Sequence, residues 1–161
     1  MAITIQGGNN PLAECINPYA HRWLVLWNPK EGEGTTSYLA EVFDHKPTIT
    51  EVKDVILDWY NAQIDQRILS GFLWRDIPVW LSMENQFNYK IAYDLAVQSN
   101  GQILPTFKFG TTENPVYYTF ESLDDLRDFY TSAMTYVTNT LAEGWKEKDS
   151  IDWGVYEDLL K

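Results

Sequence analysis

Two histidines, His21 and His45, a single cysteine, Cys15, and scattered carboxylates are the side chains here that could perform covalent or acid–base chemistry. A nucleophile of the triad type needs a base within hydrogen-bond reach, most often a histidine. His21 opens an apolar run and His45 stands beside Pro47, so each reads as a strand-end or surface residue. Cys15 has no basic neighbour to lower its pKa and reads as an inert thiol. No Cys/His cluster has zinc spacing, and no Asp-x-Asp-x-Asp-Gly loop is present for calcium. Gly7-Gly8 and Gly32-x-Gly34 lack the Lys-Ser/Thr and strand–turn–helix setting of a phosphate cradle, and read as turns. Acid pairs beside tryptophan would suit glycoside hydrolysis, where one carboxyl protonates and the other attacks or activates water. Asp76 and Glu84, on either side of Trp80, are the candidates. Asp76 falls in a turn, however, and Glu84 in the first turn of a helix, where the dipole stabilises a carboxylate. Asp124, Asp125 and Asp128 read as a solvated helix face. The expectation is therefore a non-enzyme, with no catalytic residue, no cofactor and no metal ligand.

The aromatics are the stronger signal. The chain has 7 Trp, 10 Tyr and 7 Phe. Trp23, Trp27, Trp59, Trp74 and Trp80 fall on strand or helix faces among aliphatic residues, the usual setting of a core ring whose N–H finds a partner. Seven tryptophans exceed what one small core ordinarily holds, so two or three should lie at an interface, Trp145 and Trp153 foremost. The candidate partner-binding set is Trp74, Trp80, Trp145, Trp153 and Tyr156. The polar run Ser82, Glu84, Asn85, Gln86 and Asn88 reads as a helix cap with hydrogen-bonded links to nearby strand edges.

Composition narrows the classes further. With 12 Lys+Arg against 23 Asp+Glu, the formal charge is −11. No basic cluster interrupts it, which argues against nucleic-acid phosphates and anionic membranes as partners. One cysteine excludes a disulfide framework, and a 45% hydrophobic content excludes disorder. The N-terminus has neither the basic nor the apolar region of a secretory signal. The apolar run Trp23 to Trp27 is far shorter than the ~20 residues of a membrane span. Synthesis in the cytoplasm and a soluble domain are expected.

These residues must be carried by local elements. Residues 1–20, punctuated by Gly7, Gly8, Asn9, Asn10, Pro11 and Pro18, read as an irregular arm able to order on a partner. Residues 21–47 read as a hairpin: His21–Asn28, a turn at 29–34, then Ser37–Phe43. Trp23, Val25 and Trp27 line one face of its first strand and Leu24 and Leu26 the other, so both faces should be covered. Thr48-Ile-Thr-Glu51 is a capping box. Val52, Val55, Ile56, Trp59, Tyr60, Ile64 and Ile68 then follow helical spacing, with Gly71 as C-terminal cap. Phe72–Trp74 and Ile77–Leu81 form a tight hairpin around Arg75-Asp76. Ser82 caps a second helix, Met83–Gln98, with Phe87, Ile91 and Leu95 as its buried row and Ala92 and Ala96 allowing close approach. Asn100-Gly101 ends it. Ile103–Phe109 and Pro115–Phe120 form a third hairpin. Ser122 caps a long third helix with the stripe Leu123, Leu126, Tyr130, Ala133, Met134, Val137, Leu141 and Trp145. A short helical segment lies within Ser150–Leu160. The fold class is α+β: a single domain of β-hairpins alternating with three helices, antiparallel sheet packed on helices.

Several stretches together carry a resemblance: Gly71-Phe-Leu-Trp74, Val79-Trp-Leu-Ser-Met-Glu-Asn-Gln86-x-Asn88-Tyr89, Leu104-Pro-Thr-Phe-Lys-Phe-Gly110, Val116-Tyr-Tyr-Thr-Phe120 and Phe129-Tyr130. They resemble an uncharacterised domain family of bacteriophage and prophage tail- and fibre-associated virion proteins. The resemblance covers residues 48–147 and leaves the arm, the first hairpin and a C-terminal segment, 148–161, outside it. It implies the same order of helix, hairpin, helix, hairpin and long helix. It transfers no active-site residue, because the shared pattern is one of packing. It implies a virion location and a structural role in which the chain binds other virion proteins (fibre, tail or capsid components) and forms a homo-oligomer. Three alternatives belong to other classes: a tail-fibre assembly chaperone, an acidic DNA-mimic inhibitor built on Asp54, Asp58 and Asp65, and a carbohydrate-binding module using Trp80.

Overall fold

In the run Trp23–Trp27 both alternating faces are apolar, and both turn inward: Val25, Leu26 and Trp27 are buried, Trp23 and Leu24 half-buried. A computed structural model describes residues 3–8 and 10–161; Met1, Ala2 and Asn9, part of the expected arm, lie outside the described residues. Four strands, β1 (Ile3–Gly7), β2 (Ala13–Asn17), β3 (Arg22–Glu31) and β4 (Thr36–Phe43), form an antiparallel sheet in the order β1-β4-β3-β2. Leu26 lies opposite Ala40 and Trp27 opposite Leu39. The register then shifts before Lys30, at a bulge where Asn28 takes a φ of 51°. Val25 and Trp27 enter one cluster, with Ala13, Val52, Ile56 and Tyr156. Leu26 enters the other, with Tyr38 and Ala40.

The expected irregular arm is thus corrected: two of its segments are strands. Gly8, Asn10 and Pro11 lie in the connection between them, and Pro18 in the one that follows. β1 and β2 add to the sheet through backbone ladders along β4 and β3, and most of their side chains stay exposed. Edge pairing of this kind needs no apolar period, so it leaves little trace in the residue pattern.

The packing forms two compact units, Met1–Tyr60 with Lys148–Lys161 and Asn61–Glu147, and the division falls inside helix α1 (Ile49–Ser70). The capping box starts α1 as expected. The Glu51 carboxylate accepts from the Thr48 N–H and hydroxyl, each at 2.8 Å, while the Glu51 N–H donates to Thr48 Oγ1 at 3.3 Å. These bonds, first the backbone one and then the hydroxyl and the His45 ring, hold the Glu51 carboxyl down at about 2.

In the second unit, β5 (Phe72–Trp74) and β6 (Ile77–Val79) close through Arg75 and Asp76, both at positive φ (48° and 65°), the mark of a type I′ turn. Pro78 faces Leu73 in this two-stranded ladder, where each strand is an edge. Helix α2 (Met83–Gln98) has Ser82 as its cap, accepting the Asn85 N–H at 3.2 Å. β7 (Thr106–Gly110) and β8 (Pro115–Thr119) pair next, followed by α3 (Leu123–Asp149). The short α4 (Trp153–Leu159) lies in the first unit. The architecture is α+β, with antiparallel hairpins alternating with helices. No helix among the described residues is long and apolar enough to cross a membrane.

Gly71 serves a different purpose from the expected cap. Its φ is not in the left-handed region, and its N–H continues the helix by donating to Arg67 O at 2.9 Å. A Cβ there would come within 2.1 Å of Tyr136 Oη and 2.6 Å of Arg67 O. Glycine makes room for the Tyr136 hydroxyl to donate to that carbonyl, at 2.8 Å.

Phe129 is the centre of this unit's core. It is fully buried and lies within 5.1–6.4 Å, centroid to centroid, of Phe72, Trp74, Tyr89, Phe107, Phe109 and Phe120. α2 contributes Tyr89 and Ala96 to that core, not the expected row. Phe87, Ile91 and Leu95 are exposed, which corrects their assignment as core residues. The helix has two apolar faces, and the aromatic cluster takes the one with the tyrosines.

Candidate protein-interaction surface

The outward face of α2 is an unbroken apolar ridge. Met83, Phe87, Ile91 and Leu95 recur every four residues, so their side chains stack along one line of the helix, ~18 Å from first to last. Met83 is 87% and Phe87 64% exposed; Ile91, Leu95 and the preceding Trp80 are about half exposed, at 44–49%. Surface hydrophobics scattered singly are ordinary, whereas these residues share one helix face, which makes α2 the candidate contact surface.

The rotation of the helix is set at its N-terminus. Asn85 Nδ2 donates to Trp80 O at 3.0 Å, and Gln86 Nε2 to Leu81 O at 2.7 Å. Two amides of the run, Asn85 and Gln86, thus bond carbonyls of the short segment between β6 and α2; the links expected to strand edges are instead local ones around the cap. On the inward side Tyr89 lies tilted against Phe107 at 4.7 Å, and burial pushes its phenol up to about 12. Tyr93 lies parallel to Tyr130 at 4.8 Å. Beside the ridge, Lys90 and Asp94 pair with each other at 2.8 Å, which neutralises two of the three charges on α2.

The five residues expected at an interface separate into three groups. Trp80 and Trp145 are exposed, Trp80 three residues before the ridge begins. Trp153 is half-buried against Tyr156, with the Lys53 ammonium 5.6 Å from its ring. Trp74 and Tyr156 are interior, which corrects their place in the partner-binding set. Trp74 meets Phe129 edge-on at 5.4 Å and lies under the Arg75 guanidinium. Tyr156 donates its hydroxyl to Leu26 O at 2.7 Å, and burial raises its pKa. The indole N–H groups of Trp27 and Trp74 are buried without a protein partner, contrary to the expectation for core tryptophans. The signal that would have found Met83, Phe87, Ile91 and Leu95 is the doubling of apolar faces on α2, since a helix apolar on two sides needs two coverings.

No comparable arrangement surrounds the groups singled out for chemistry. Asp76 and Glu84 are exposed at their turn and first helical turn. His45 meets Glu51 at 2.9 Å, and Cys15 is exposed. Asp125 is engaged by Arg75 at 2.6 Å and by the Tyr118 hydroxyl at 3.3 Å, and Arg75 also bonds that hydroxyl. This network borders an open cleft of about 460 Å³ with Thr119, Glu121 and Ser122. It ties the β5–β6 turn to β8 and the start of α3, and it occupies the one carboxylate in the cleft that is largely shielded from water. In the first unit a cavity of about 330 Å³ is lined mainly by Trp27, Ile56, Tyr60, Ile151, Val155 and Tyr156. Among the described residues, no three His, Cys, Asp or Glu side chains group as a metal site requires.

The chain matches no family model, no curated protein and no solved structure.

Proposed function

We propose that this protein is a bacteriophage virion structural component, a tail- or head-fibre-associated module that acts by assembling with other virion proteins. The α2 ridge carries this reading: apolar side chains held outward by a rigid, capped helix do nothing in water, and they contribute binding free energy only when a second surface covers them. The motif resemblance over residues 48–147 supplies the phage setting, and β1 and β2 remain available as sheet edges for further contact.

Mass spectrometry of purified particles tests it. A structural component co-purifies with the fibre and tail or capsid proteins in fixed stoichiometry. Presence in the infected cell with absence from finished particles would overturn that role in favour of an assembly chaperone, which would use the same ridge transiently.

A further inference from the structure

Resting on the assembly role proposed above, we infer that the α2 ridge is a self-association surface, and that its occupant is the α2 ridge of a second copy of this chain. Ridges running along i±4 positions interdigitate with one another, and two such helices cross at about −50°, the commonest packing in globular proteins. Met83, Phe87, Ile91 and Leu95 form such a ridge.

The ridge is also its own complement. About a two-fold axis on the outward face, midway between Phe87 and Ile91, the antiparallel copy sets Phe87 against Ile91 and Met83 against Leu95, with each contact made twice. That reciprocity is the signature of an isologous interface. Ala92, beside the ridge, leaves the groove shallow enough for close approach.

Area supports a dimer. Together with Trp80, the ridge exposes roughly 500 Å² of apolar side chain per copy, so a symmetric pair that covers all of it removes on the order of 1,000 Å², the threshold of a specific interface. Charge supports the location. The chain carries −11 overall, yet α2 has only Glu84, Lys90 and Asp94, and the last two are paired. Two acidic molecules meet with little local repulsion there, and the repulsion between the rest is screened by salt.

Sedimentation velocity on the full chain, in a Cys15→Ser background that prevents disulfide-linked pairs, is the test. The expected result is a species of twice 18.7 kDa that tightens as salt rises. Phe87→Glu and Ile91→Glu should each weaken it by ~100-fold or more, because each buries two unpaired carboxylates at the axis. Tyr117→Glu, at another exposed aromatic on β8, should leave it unchanged. Unaltered thermal unfolding of Phe87→Glu confirms that the fold survives. A wild-type chain that stays monomeric at ~100 μM, or a dimer indifferent to both substitutions, overturns the inference. The two readings fail separately. A monomer that is nonetheless incorporated into particles, and is lost from them with Phe87→Glu, leaves the assembly role standing with a different virion partner. A ridge-dependent dimer absent from particles does the reverse.

Discussion

Helices α2 and α3 lie in the same compact unit and both have clear apolar stripes, yet they use them in opposite ways. In α3 the stripe faces the core: Leu126 and Ala133 are fully buried, and Leu123, Tyr130, Met134, Val137 and Leu141 pack around them. In α2 the most hydrophobic stripe faces out, while Tyr89, Ala96 and half-buried Tyr93 face in. The difference shows that hydrophobicity ranks faces, whereas shape chooses among them. The space beside Phe129 is lined by rings, and the ring of Tyr89 fills it edge-on.

The sharpest test of that contrast sets Phe129→Ala against Phe87→Ala. Removing the central ring should cost ~3–5 kcal/mol of stability in urea unfolding. Removing the exposed one should change it by no more than ~0.5 kcal/mol. Equal losses would mean that α2 is turned the other way in solution. Next in size is Gly71→Ala, which pushes a methyl into Tyr136 and the Arg67 carbonyl and breaks their bond. Overpacking of this kind should destabilise by ~1–3 kcal/mol in the same assay. A neutral result would restore Gly71 as a simple cap.

Tyr89 offers a readout of its own. Its phenol is raised to about 12, so the stability it contributes is complete below 10, the ordinary value, and is lost as pH rises from there toward 12. Absorbance titration should show one tyrosinate that forms near pH 12 and is absent from Tyr89→Phe, and the variant should lose less stability at alkaline pH. The smallest effect lies in the first unit. Glu51 is held at about 2, so its contribution is present above 4.5 and fades as pH falls toward 2. Glu51→Gln should flatten the acid limb of a thermal-unfolding profile. Glu51 and Phe87 are both open to solvent, but only Glu51 acts on folding, because it is hydrogen-bonded.

Short-range features were the legible ones. The Arg75-Asp76 turn, the Ser82 cap and the Thr48–Glu51 box each depend on residues within four positions, and all three formed as read. Of the residues around the ridge, only Trp80 was singled out by the sequence, through its aromatic hairpin; Trp145, chosen for its charged tail, is exposed on α3. Trp74 was assigned to the surface with its aromatic hairpin and Tyr156 with the C-terminal segment, on the premise of one small core, whereas the described residues build three buried clusters.

By itself the sequence determined the α+β class, the order of hairpins and helices from residue 22 onward, and the points where helices begin. Those follow from backbone propensities and capping, whose reach is one turn of chain. Only the tertiary structure decided that residues 3–7 and 13–17 join a sheet, and which face of α2 turns inward. Both outcomes rest on partners distant in the chain: open strand edges in the first case, and a ring-lined space around Phe129 in the second.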